Sequence, residues 1–213
     1  AHNFIKLLRY SCNLIQTSSR NRLSFNSQIE LAKRAKIKSK RSTQSVEILM
    51  QKYFYHAEVL SIFNETIFDK YDEKGAFKIK KDYGDFFIRN NRIGFTDTNL
   101  QENKHLIFEI FVKIGQRKDL IGIDTKTARL LKENAQLINE NFKKNNNYSK
   151  QFLQILRSPY NLSSILRKMK RLGIMQAYIK EFGEVIGQMQ FDLFHIYTVD
   201  EHTFKVVRNM RQM

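Results

Sequence analysis

The chain has 213 residues, 42% of them apolar, with one Pro, eight Gly and a single cysteine, Cys12. That apolar share can bury a core, which excludes a wholly disordered chain, and one cysteine excludes an internal disulfide or a cysteine-based zinc cage. Thirty-seven Lys and Arg against 21 Asp and Glu give a net charge of +16, which can mark nucleic-acid binding, but the basic residues are scattered apart from one run at Lys33–Arg41.

Few Pro and Gly mean few forced breaks, so the composition predicts a mostly helical protein. No apolar run reaches the roughly 18 residues of a membrane helix. Residues 1–20 carry Lys6 and Arg9 inside an amphipathic pattern, unlike a signal peptide. Cys12 reads as a small core residue, and a reducing, cytoplasmic setting is expected. The abrupt start within an apparent helix is read as that of an excised piece.

Phe4, Leu7, Leu8, Leu14 and Ile15 recur at helical spacing and predict a helix over residues 3–17. A short helix follows at 27–37. The stripe from Val46, Leu49, Met50 and Phe54 through Ala57, Leu60, Phe63, Ile67, Phe68 and Tyr71 predicts one long helix over 44–72. Ser42 or Thr43 would cap its start, and Gly75 lies beyond its end. Residues 86–96 break this pattern. Phe86-Phe87-Ile88, the turn pair Asn90-Asn91, then Ile93 and Phe95 predict one small β-hairpin, because asparagine tolerates the left-handed backbone of a tight turn.

Helical spacing resumes with Leu106, Ile107, Ile110, Phe111 and Ile114. Asp124 is placed to cap a helix carrying Ala128, Leu131, Ala135, Ile138 and Phe142. Lys143–Asn147 reads as a polar loop. A helix over 149–157 stops near Pro159. Leu162, Ile165, Leu166, Met169 and Leu172 make the next, with Gly173 as its left-handed cap. Finally, Thr198-Val-Asp-Glu201 has capping-box spacing and starts a helix with His202 in its first turn. The fold class expected is all-α, a multi-helix domain with one inserted hairpin.

Three segments carry a family resemblance. They are Asn21-Arg22-Leu23-Ser24-Phe25 before Gln28; Met50-Gln-Lys-Tyr-Phe-Tyr-His-Ala57; and the stretch from Ile155-Leu-Arg-Ser-Pro159 through Leu172-Gly173, Phe182-Gly183, Gly187-Gln-Met-Gln-Phe-Asp-Leu-Phe-His195 and Tyr197-Thr-Val-Asp-Glu-His-Thr203. Together they resemble the central part of bacterial PII uridylyltransferase/uridylyl-removing enzymes, where a helical domain passes into an HD-type hydrolase domain. The resemblance implies a helical linker domain over 1–197 and the first helix of a truncated HD domain over 198–213. It implies an enzyme that moves UMP from UTP to the PII signalling protein and hydrolyses it off again under the control of glutamine, with a divalent metal (Mg or Mn) in the hydrolase site. His202 matches the first HD-site metal ligand, the remaining ligands lying outside the chain, so the piece alone is expected to be inactive and to hold no cofactor.

The transferase's Gly-Ser motif and paired aspartates are absent. Asp97 and Asp124 are isolated, so no catalytic residue is assigned. His195 reads as packing or hydrogen bonding, His56 as part of an aromatic core rim, and Asp200 as an acid favoured by a helix's positive first turn; Asp192 with Asp200 could also be read as an acid/base pair. Two rivals remain: the helical domain of a glutamine-synthetase adenylyltransferase-like enzyme, and a basic nucleic-acid-binding module. The scattered charge argues against the second, and no membrane partner is expected.

Overall fold

The computed structural model describes residues 1–16, 22–37, 42–74, 81–96, 99–190 and 197–210. The expected roles of Asn21, Gly75, Asp97, Asp192 and His195 fall outside them, as does most of the basic run's second half. Two compact units divide the chain: residues 1–65 with 185–203, and residues 66–184 with 204–213.

The first unit contains α1 (His2–Ile15), α2 (Phe25–Arg34) and much of α3 (Ser42–Lys74). The Ser24 hydroxyl caps α2 by accepting from the Ser27 N–H. Cys12, Leu31, Ala32, Val46, Leu49, Met50 and Met189 form the buried centre. Among its described side chains, the stripe predicted along α3 is buried only at its start. Phe54, Ala57 and Leu60 are half-buried, and Phe63 is 60% exposed.

The second unit is built around α4 (Leu106–Gln116), whose Phe108, Ile110 and Phe111 have no exposed surface. The predicted hairpin is present as β2 (Phe86–Arg89) and β3 (Arg92–Phe95), with Asn90 and Asn91 at φ +50° and +60°, the left-handed pair that a two-residue turn requires. It belongs to a larger sheet than expected. β1 (Lys81–Tyr83) adds antiparallel to β2, and β4 (Gly122–Ile123) adds parallel to β3. Neither added strand exceeds three residues, too short to show a period-2 pattern.

The single helix expected after Asp124 is instead broken. α5 (Thr125–Glu133), a 3-10 turn at Ala135–Leu137 and α6 (Glu140–Lys143) follow one another. Asn139 restarts the helix by accepting from the Phe142 N–H at 3.1 Å, as a capping side chain does. The apolar positions still point inward: Leu131, Ile138 and Phe142 are buried. The expected loop at 143–147 is a tight joint, because α7 (Asn146–Leu156) starts one residue after its cap Asn145. α8 (Leu162–Arg171) buries Leu162, Ile165, Leu166 and Met169 as its spacing predicts, and Gly173 follows at φ +81°. α9 (Ile174–Tyr178) and α10 (Lys180–Val185), which the sequence did not announce, complete the unit before α11 (Val199–Met210). Phe182 stacks on Phe204 of α11.

Two details lock α4. A Cβ at Gly115 would overlap the Ser158 side chain, so only glycine allows this close approach. Asn161, at φ +60°, directs its amide Nδ2 at the carbonyls of Leu120 (3.0 Å), Arg117 (3.2 Å) and Ile114 (3.5 Å). Ile114 and Arg117 lie at the end of α4 and Leu120 in the loop that follows, so one side chain ties down the exit of the helix.

Candidate functional site

The residue singled out for metal chemistry, His202, lies in the first turn of α11, in the first unit. The start of this helix is fixed by its neighbours. Thr198 stands just before it and is buried, and its carbonyl accepts the first helical hydrogen bond, from the His202 N–H at 2.8 Å. Thr198 therefore occupies the cap position that the sequence spacing predicts. Thr203 Oγ1 donates back to the Val199 carbonyl at 2.8 Å.

A turn at 186–188 clamps the same helix start. Gly187 sits at φ +69°, where a side chain would be strained. Its N–H donates to Asp200 Oδ1 at 3.1 Å. The next residue's carbonyl, that of Gln188, accepts from the Val199 N–H at 2.9 Å. On the other side, Gln51 Nε2 of α3 donates to the Ile186 carbonyl at 3.4 Å. Asp200 is 1% exposed. Its position in the first turn is the expected one, but its carboxylate is engaged across the turn as well as lying in the field of its own helix.

His202 itself is exposed. It therefore projects from a rigid, hydrogen-bonded helix start on which every neighbouring backbone group named above is already used. Among the described residues, no three or more His, Cys, Asp and Glu side chains come together as a metal-binding group. Nearby Asp200 is turned inward to Gly187. The described residues thus supply one imidazole and do not by themselves fit a divalent metal, which needs several ligands and an orienting outer layer.

The other singled-out residues that the structure describes have structural roles. Asp124 is 3% exposed and caps α5, accepting from the Lys126 N–H at 3.1 Å and the Thr127 N–H at 3.5 Å. It also accepts from Arg89 at 2.8 Å, tying β2 to α5. This second link joins residues 35 apart in sequence and leaves no local signal. His56 lies 4.4 Å from the Phe4 ring and 5.3 Å from the Tyr55 ring, centroid to centroid, an aromatic packing role as expected. Cys12 is buried with its thiol free.

Comparison with known proteins finds matches along the chain. A family model described as "Uridylyltransferase GlnD third domain" matches residues 86–178, and one described as "GlnD PII-uridylyltransferase" matches residues 1–68. Proteins named bifunctional uridylyltransferase/uridylyl-removing enzyme match the whole chain: those of Azotobacter vinelandii and Pseudomonas aeruginosa PAO1 at 30% identity, and that of Acinetobacter baumannii ATCC 17978 at 32%. The chain spans 24–25% of the length of these relatives. No solved structure matches it. From residue 1 to α11, the chain belongs to the GlnD family of bifunctional uridylyltransferase/uridylyl-removing enzymes.

Proposed function

We propose that the chain works within a longer enzyme that transfers UMP from UTP to the PII nitrogen-signalling protein and hydrolyses it off again in response to glutamine. The observation that carries this reading is the end-to-end match with relatives named for both activities. Within that enzyme, these residues form a helical module that couples domains. The clamped start of α11 supports such a role, because the 186–188 turn bonds to the helix that carries His202 and is itself held by Gln51 of α3.

In this reading His202 contributes one ligand to a divalent metal, Mg or Mn, of the hydrolase site, and the other ligands come from elsewhere in the enzyme. A divalent ion in such a site lowers the pKa of a bound water and offsets phosphate charge. What this chain's own residues do is hold the imidazole: the Gly187–Asp200 and Gln188–Val199 hydrogen bonds fix the turn from which it projects. A cytoplasmic setting fits the free cysteine, and among the described residues no helix is long and apolar enough to cross a membrane.

The charge does not favour a nucleic-acid module. Arg34, Arg89, Lys113, Arg117, Arg129 and Lys143 each pair with a carboxylate, on four different helices, a strand or the loop after α4. The test is to incubate the enzyme with PII and labelled UTP, follow label onto PII, and then add glutamine and follow its release.

A further inference from the structure

One row across the sheet of the second unit gathers positive charge. Arg89 of β2 and Arg92 of β3 are direct cross-strand partners, and Arg92 is in turn the register partner of Gly122 of β4. Directly opposed residues share a face of the sheet, and like charges so placed destabilise it. Arg89 is paired with Asp124, whose carboxylate also caps α5. A further cation meets Arg92 from α8. A Cβ at Gly122 would lie 3.1 Å from Arg92 Nη1 and 3.9 Å from Lys168 Nζ, so both cationic ends reach the one point that the glycine leaves open. Both side chains are half-buried, where charges are screened less than at a fully exposed site. Each has further interactions of its own. The convergence of two like charges on a residue without a side chain is nevertheless a cost that the fold alone does not call for, and such costs gather at functional sites.

We propose that Arg92 and Lys168 hold a phosphate group beside Gly122, as free phosphate or as that of a phosphate monoester. The chemistry of the site selects this ligand. A guanidinium presents paired N–H donors that match phosphate oxygens, and a lysine adds a compact second charge. Two positive ends offset the nearly double negative charge that a phosphate monoester carries at neutral pH. Gly122 puts no Cβ between them, and a methyl there would stand in the anion's place. The site lies wholly within the second unit and uses none of the residues assigned to uridylyl chemistry.

The experiment is a titration of the 213-residue chain at low, constant ionic strength, read by calorimetry and by the thermal midpoint. The probes are inorganic phosphate, UMP, uridine and acetate. The parent should bind phosphate or UMP saturably, and its midpoint should rise with the ligand, as for any ligand that binds only the folded state. Acetate, with a single charge, should bind more weakly than phosphate. Arg92→Gln and Lys168→Gln should each weaken phosphate binding about tenfold or more, the loss of one hydrogen bond to a charged group. Without phosphate, both variants should melt no lower than the parent, because each removes one of two like charges. Gly122→Ala keeps both charges and should also weaken binding, by filling the space between them. Tighter binding of UMP than of inorganic phosphate supports the proposal with a monoester as the ligand, and equal affinity supports it with the free ion. Uridine binding as well as UMP overturns it, as does a parent without saturable phosphate binding. Parent affinity in folded Arg92→Gln and Lys168→Gln overturns it too. Should either charge variant fail to fold, Gly122→Ala decides, and parent affinity there overturns the proposal.

Discussion

The Gly187 N–H donates to the carboxylate of Asp200 at 3.1 Å, across a turn in which that carboxylate is 1% exposed. Glycine is required there by the left-handed backbone, and the carboxylate satisfies an amide that the turn leaves without a helical partner. Removing one side of a buried hydrogen bond leaves the other side unpaired, at a cost of about 1–3 kcal/mol or more when a charge is involved. Asp200→Ala should lower the thermal midpoint of the 213-residue chain, and Asp200→Asn, which keeps an acceptor oxygen, should lower it less. An Asp200→Ala protein that melts like the parent would show that the link does not hold the start of α11.

Asn161 makes a second prediction, because its left-handed backbone and its amide contacts can be separated. Asn161→Gly keeps the φ of +60° without strain but loses the bonds to the carbonyls at the end of α4 and in the loop after it. Asn161→Ala loses both. We expect destabilisation of about 1–3 kcal/mol for Asn161→Gly and a larger loss for Asn161→Ala, read by urea unfolding. Equal values for the two would mean that the backbone conformation carries no cost.

Much of the second unit was legible in the sequence because its signals are local. The Asn90-Asn91 turn, the Asp124 cap, the α8 stripe and Gly173 each depend on residues within a few positions of one another. The features that were not legible are non-local or masked by a continuing pattern. Ala128, Leu131, Ala135, Ile138 and Phe142 keep a helical apolar period, yet Asn139 caps a fresh start and the helix breaks. β4 is two residues long and exists only by pairing with β3. The Gly187–Asp200 link spans a stretch in which neither residue alone announces the other. The α3 stripe was legible as apolar, but a period cannot tell a face buried within the chain from one left exposed.

Gly115 gives a packing test. Gly115→Ala places a methyl on the Ser158 side chain, and overpacking of a tight core typically costs about 1–3 kcal/mol. Ser158→Gly removes the overlapping atoms, so the double variant should recover part of the loss in a double-mutant cycle. Additive losses would place the strain elsewhere.

Leu166 is 2% exposed on the inward face of α8. Truncating a buried leucine costs about 2–5 kcal/mol through lost transfer energy and the cavity left behind. Leu166→Ala should therefore remove a large part of a domain stability of about 5–15 kcal/mol. A thermal midpoint that hardly moves would mean that α8 does not pack as observed.

The most direct measurement is a two-stage assay of the full natural polypeptide with PII and labelled UTP, run on the parent and on His202→Ala. The parent should place label on PII and release it as UMP when glutamine is added. His202→Ala should place the label at the parent's rate and fail to release it, since His202 is exposed and its loss should leave the fold intact. Absence of label on PII with the parent, or release of UMP by His202→Ala as fast as by the parent, would contradict the assignment.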